Sequence, residues 1–461
     1  SYFSGKDEIS RIYDFPDSTN IYSLDSLKDT AQWSNQSTSV KWSKIWINNM
    51  YSHFLISVSR YNSNAYEKRF YDGNIPYPDH NIINYNKLSD HSFQIDNEWY
   101  MNATHNLEFG YSRKQFNTYY ENLIQQSYID STIIRSYDAS LNSYYFQDHW
   151  KYNPVMEIIY GLRVSNYSLS KESFWEPRFS FTYSLTDFLT LKGSSDRYTQ
   201  FIHRFSNDFM IGGKKFVWLL SNDLLKPILS DQVNLGVQYD DKNMTSEIAI
   251  FLRESSHLAD FSRIQLPSNA YDVNANETNF TLGSGISKGL ELILQKKTGF
   301  IRGWISYTYG LTEYFYPDSS INHGISFPAN HDRKHEIKSV SIASFNNWDV
   351  SFSWIFSSGS VYTSSGMQYT NQNIFGYAVI PDSAITMNSS RLPYVQRVDL
   401  SITKHFSLLS MNWEMGLSVF NLFDRKNISH KKYITVENSE IEMTDVKMLG
   451  FTPTFHIRLS M

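Results

Sequence analysis

The chain of 461 residues contains no cysteine. That absence removes disulfide scaffolds, thiolate zinc sites, iron–sulfur clusters and cysteine nucleophiles together. Net charge is also small: 41 basic against 46 acidic side chains leave −5. This is too little to argue for a nucleic-acid partner, and no Lys/Arg-rich run occurs. No stretch approaches the ~18 continuous apolar residues a transmembrane helix requires, and no charged region followed by an apolar one opens the chain. A membrane β-barrel stays open, because its strands need only about 10 alternating residues and leave the average polar. What the chain has in excess is aromatic: 33 Tyr, 31 Phe and 11 Trp at a mean hydropathy of −0.42.

The dominant pattern is apolar/polar alternation of period two, which puts successive side chains on opposite faces of a sheet. Phe179, Phe181 and Tyr183 alternate with Arg178, Ser180 and Thr182, and Val233, Leu235, Val237 and Tyr239 with Gln232, Asn234, Gly236 and Gln238. The same holds for Val398, Leu400 and Ile402, for Trp413, Met415, Leu417 and Val419, and for Phe455, Ile457, Leu459 and Met461. No segment carries a 3.6-residue stripe of helical length, so the chain reads as all-β.

Alternation alone does not separate a barrel in lipid from a soluble sandwich. Connection lengths do. Short turns are expected at 47–49, 102–105, 151–154, 184–187, 240–243, 297–299, 346–347 and 407–410. Between them fall long connections at 62–88, 121–136, 199–229, 263–280, 316–332, 360–392 and 425–449, with 168–173 the shortest of that set. Long loops at one end and tight turns at the other are the asymmetry of an outer-membrane barrel. About 17 strands follow Trp33, with residues 2–13 supplying one more. Aromatics near strand ends, among them Trp42, Trp46, Tyr307, Tyr309, Trp348 and Trp413, fit girdles at the two interfaces.

Several segments then resemble the TonB-dependent outer-membrane receptors, in the style of the Bacteroidetes. These are Ser287-Lys288-Gly289-Leu290-Glu291 with Trp304 and Ser306-Tyr307, Pro328 through Asp332, Arg333 and His335, and Leu392-Pro393-Tyr394 with Arg397-Val398-Asp399. Phe420-Asn421-Leu422-Phe423-Asp424 is similar to the family's segment near the C-terminus, and Tyr145 to Asp148, Gly161 to Arg163 and Glu176 to Arg178 resemble its mid-barrel run. The resemblance implies a transmembrane antiparallel β-barrel of about 22 strands around a plug, with long extracellular loops and short periplasmic turns. Neither the plug nor its energy-coupling motif is recognisable. Residues 1–461 are therefore read as barrel, without the N-terminal plug domain and the first few strands, and the opening Ser1 as the start of a mature or partial chain.

The chemistry of catalysis is missing. His331 and His335 lie four apart, a zinc spacing on a helix, but about 13 Å apart on a strand. Gly212-Gly213-Lys214-Lys215 lacks the spacing of a phosphate loop, and no Gly-x-Ser-x-Gly occurs. No enzyme activity, cofactor or metal is expected. Arg178, Glu291, Arg397 and Asp399 are lumen-facing candidates, either wetting the wall or, as the resemblance implies, gripping the plug. Ligand candidates are the loop aromatics Tyr66, Phe70, Tyr71 and Tyr77, and Tyr362, Tyr369, Phe375 and Tyr377, residues able to stack on sugars or aromatic chelates.

The expected function is energy-coupled import of a scarce or bulky ligand, a siderophore, cobalamin, glycan or peptide, across the outer membrane of a Gram-negative bacterium. The partners the resemblance implies are the TonB–ExbB–ExbD complex, reached through the N-terminal region, the receptor's own plug, outer-membrane lipids and a surface lipoprotein lid; nucleic acid is not among them. Two other classes are open: a passive porin-like channel or structural barrel without a plug, and a soluble all-β binding protein.

Overall fold

The computed structural model describes all residues except 15–23, 47–48, 72–79, 127–128, 208–214, 262–279, 319–320, 364–367, 374–375, 382–385, 410, 436–440 and 461. In chain order the strands are β1 (Tyr2–Asp14), β2 (Leu24–Ile45), β3 (Met50–Tyr71), β4 (His80–Tyr100), β5 (His105–Gln126), β6 (Ile129–Asn153), β7 (Met156–Tyr167), β8 (Ser173–Ser184) and β9 (Leu189–Gln200). They continue with β10 (Ile202–Asn207), β11 (Lys215–Leu220), β12 (Ile228–Asp240), β13 (Met244–Phe261), β14 (Phe280–Lys296), β15 (Ile301–Phe315), β16 (Phe327–Pro328), β17 (His335–Phe345) and β18 (Trp348–Ser357). Last come β19 (Val361–Tyr362), β20 (Gln368–Asn373), β21 (Gly376–Pro381), β22 (Ser390–Arg391), β23 (Val395–Leu408), β24 (Met411–Phe420), β25 (Ile428–Thr435), β26 (Ile441–Lys447) and β27 (Thr452–Ser460). Among the described residues the one helical element is a 3₁₀ turn at Asn322–Gly324.

One antiparallel sheet of 19 strands forms the wall. β16 is a two-residue stub on β15, so 18 strands run its height, the number the alternation predicts. Each pairs with its neighbour in sequence once the loop strands are set aside, from β1–β2 through β9–β12 to β24–β27. β10–β11, β19–β22, β20–β21 and β25–β26 are separate two-stranded ribbons inside the long connections.

Register separates the two faces. Phe179, Val233, Leu235, Ile248, Ile250, Leu292, Leu294, Phe352, Leu417, Phe455 and Ile457 are exposed on one face. Their sequence neighbours Ser180, Asn234, Glu247, Glu291, Ser353 and Ser418 fall on the other. In water such an apolar belt would be an aggregation surface, whereas in lipid it is the solvated one. Trp42 and Phe54 (5.0 Å), Trp150 and Tyr152 (5.0 Å), and Phe300 and Phe345 (5.8 Å) gather at the short-turn end. Tyr307 and Tyr309 close around His335 at the other. These are the two interfacial girdles.

Two expected loops are strand instead. Asn62 and Leu88 lie within β3 and β4, and between β5 and β6 only 127–128 are left, not 121–136. A strand tilted ~40° climbs about 2.5 Å per residue, so ten residues cross a ~25 Å apolar band. β2 to β6 have 22, 22, 21, 22 and 25 residues and climb well past it. Above the band the outer face need not be apolar, which removes the alternation that marks a strand in lipid.

Candidate functional site at the extracellular mouth

Short turns in outer-membrane barrels are periplasmic, so the long connections form the extracellular mouth. Between β9 and β12 the β10–β11 hairpin folds back over the inner face of the wall. That face is apolar there: Phe116, Ala139, Tyr167 and Phe174 of β5 to β8 pack with Phe201 and Leu220 of the hairpin. Phe201 lies 4.8 Å from Tyr167 and 5.1 Å from Phe174 by ring centroid. The polar anchors copy a strand pairing. The Asn86 carboxamide accepts from the Trp218 N–H (3.0 Å) and donates to its carbonyl (3.4 Å), and the Tyr167 hydroxyl donates to the Ser221 carbonyl (3.0 Å). At the hairpin's base burial pushes the His203 imidazole down to about 4; the Lys226 carbonyl opposes this and nearby His257 adds to it.

A second body caps the opposite stretch of the rim. The connection after β15 buries Tyr316, Ile321 and Phe327 with Met387 from the connection after β18. Asp332 is 3% exposed; it accepts the Thr312 N–H (2.8 Å) and pairs with Arg391. Arg391 also donates to the Asp332 and Gly359 carbonyls (3.0 and 3.1 Å). Asn322 accepts from the Met387 N–H (2.7 Å), and Asn388 donates to the Pro328 carbonyl (2.8 Å). The segment from Pro328 to His335, singled out for its resemblance, is thus one half of a loop-to-loop clamp. His331 packs edge-on against Tyr314, while the Tyr307 hydroxyl bonds His335 on the lipid side (2.9 Å).

The Phe420 to Asp424 segment is a knot. Asn421, 1% exposed and in the left-handed region at φ 54°, donates to the Arg425 and Leu449 carbonyls and accepts the Arg425 N–H. Asn427 pairs with the Gln396 backbone in both directions (3.0 and 2.8 Å). Lys426, and then the Phe451 N–H, hold the Asp424 carboxyl below the usual carboxylate range. The motif ties the outer ends of β23, β24 and β27.

The four lumen candidates all lie on the polar inner face by register: Arg178 opposite Asp196, Glu291 opposite Ala249 and Thr308, Arg397 opposite Ile355, and Asp399 opposite Ser353. Arg397 Nε and Asp399 Oδ2 are 3.0 Å apart, Arg397 covers Phe420 at 4.3 Å, and Asp399 also accepts the Asn421 N–H. Sequence reasoning grouped these residues but passed over the rings beneath the guanidinia. Arg163 lies over Tyr145 (5.5 Å), Arg178 over Tyr198 (5.9 Å) and Arg204 over Trp218 (5.8 Å). Nε of Arg163 and Arg178 is buried without a hydrogen-bond partner.

Of the loop aromatics, Tyr66 is half-buried on β3. By alternation with Phe54 and Ile56 it is on the outer face of the protruding strands, not toward the lumen. Tyr362 is half-buried on β19 with the Lys431 ammonium 5.3 Å from its ring. The side chains of Phe70, Tyr71, Tyr369 and Tyr377, and all of Tyr77 and Phe375, lie outside the described residues.

Residues 2–422 match a family model described as TonB dependent receptor-like, beta-barrel. The fold is similar to that of the ferric-catecholate import receptor Fiu of E. coli (TM-score 0.58, 11% identity, covering 100% of this chain and 72% of that one). It is similar also to the ferric yersiniabactin uptake receptor FyuA of Yersinia pestis (0.57, 12%, 99% and 75%) and to the outer membrane transporter YddB of Escherichia coli (0.57, 9%, 99% and 75%). No curated protein matches by sequence.

Proposed function

Since the chain belongs to the TonB-dependent receptor β-barrel family, whose members are transport receptors of the Gram-negative outer membrane and not enzymes, we propose that it imports a bulky anionic chelate by energy-coupled transport. The observation that carries this reading is the lining of the mouth, where Arg163 and Arg178 of the wall and Arg204 of the hairpin stand over Tyr145, Tyr198 and Trp218. A guanidinium beside an aromatic face suits a ligand that is both negatively charged and aromatic, such as a ferric catecholate. Neutral sugars would use the rings and leave the charges idle.

In the same reading a plug of the receptor fills the lumen. Glu291 is assigned to its contacts, Arg178 is given to the ligand, and Arg397 with Asp399 offers the plug a charge-compensated patch. Binding of ferric tris-catecholate, ferric citrate, cobalamin and a neutral oligosaccharide to the full-length receptor, followed by tryptophan quenching, tests the ligand. The expected result is preference for the catecholate and a loss of about tenfold or more in Kd for R163A/R178A, in line with one or two desolvated charge contacts. Preference for the oligosaccharide would reject the reading. Uptake of radiolabelled iron that persists in cells lacking TonB would reject energy coupling and favour a passive channel.

A further inference from the structure

The two bodies at the mouth are held by different chemistry. The clamp between the connections after β15 and β18 rests on a buried ion pair and side-chain amides. The β10–β11 hairpin rests on apolar contacts, on Asn86, and on one buried imidazole. His203 is 3% exposed. Its Nε2 lies 3.1 Å from the Lys226 carbonyl oxygen and 3.1 Å from Ser221 Oγ. A carbonyl only accepts, so Nε2 carries the proton and Nδ1 is bare. The ring stacks on Phe205 (6.0 Å, 15°), in a buried layer it shares with Phe205 and its cross-hairpin neighbour Leu219. A second proton would put a full charge into that layer, which is costly unless a partner compensates it.

We propose that the β10–β11 hairpin is an acid-released latch on the extracellular mouth, with His203 as its catch. The charged and titratable neighbours do not compensate a second proton. From β13 comes His257, whose Nδ1 is 2.9 Å from the Pro227 carbonyl and which repels a charged His203. Lys226 offers its carbonyl while its side chain, like that of Asp223, is exposed. Arg204 on the hairpin itself stacks on Trp218, and Glu176 of β8 is committed to the Thr199 N–H (2.7 Å). Docking holds the imidazole below its ordinary 6.5, so the docked state prefers the neutral ring. Docking is at full strength above about 6.5, weakens as pH falls, and levels off below about 4.

Hydrogen exchange of the full-length receptor, corrected for the intrinsic pH dependence of exchange, tests this. The opening constant of β10 and β11 is expected to rise roughly a hundredfold between pH 7.5 and 4.5, with residues 386–392 of the clamp unchanged. H203Q, neutral and still able to donate to Lys226, is expected to remove the rise. H257Q is expected to move the midpoint to higher pH, and it decides the matter where H203Q no longer docks at pH 7.5. An equal rise in H203Q that docks, an unshifted midpoint in H257Q, a flat native profile, or hairpin and clamp opening together would each overturn the latch.

Discussion

At the scale of single residues, asparagine does much of the joining. Asn86, Asn322, Asn388, Asn421 and Asn427 each present a carboxamide to a main-chain N–H or carbonyl, standing in for a strand where none can run. The prediction belongs to one motif with two unequal members. N421A leaves the Arg425 and Leu449 groups unpaired in a buried site and removes a residue suited to positive φ. It is expected to cost about 2–3 kcal/mol, seen as a lower midpoint of the heat-induced gel shift. Phe423, two residues on, is 71% exposed, and F423S is expected to change stability by under about 0.5 kcal/mol. Here the sequence was legible in part. The resemblance marked Asn421, Asp332 and Arg397 as noteworthy, but a short motif does not say whether it binds cargo or ties a loop. The partners that decide this, Leu449 and Arg391, are 28 and 59 residues away.

At the scale of elements, the wall strands were readable and the mouth was not. In lipid one face must be apolar, so strands such as β12 and β24 display their period openly. Above the lipid that requirement lapses, and β3 to β6 run on through polar sequence that reads as loop. The hairpin's seat left a faint trace: Phe116, Ala139 and Leu141 are apolar at inward positions, where the alternation calls for polar ones. N86A tests how that hairpin is held. It strips the Trp218 N–H and carbonyl of their partner, and is expected to raise the opening of β10 and β11 by the equivalent of about 1–3 kcal/mol at neutral pH. Strands β12 to β14 are expected to keep their exchange protection, because no bond of Asn86 reaches them. Faster exchange across the barrel wall as well would show that hairpin and wall open as one.

At the scale of the whole molecule, the two faces have opposite tolerances. Leu235 and Asn234 are adjacent on β12, five and six residues from its periplasmic end, one facing lipid and the other the lumen. L235R is expected to cost about 2–4 kcal/mol in folding into lipid vesicles, and N234R close to nothing. Equal costs would contradict the assignment of faces, and with it the barrel.

The order of strands along the wall also bears on how the sheet assembles. Most neighbours are joined through a handful of residues, so each new pairing adds a small loop-closure entropy, growing only as about (3/2)RT ln n. The two longest joints are β18 to β23 and β24 to β27, across 358–394 and 421–451. There the β20–β21 and β25–β26 ribbons shorten the free chain before the wall strands meet. Such a wall zips from hairpin to hairpin, and its local contact order is low for so large an all-β protein. The long loops that furnish the mouth are therefore also the places where the zipper must wait.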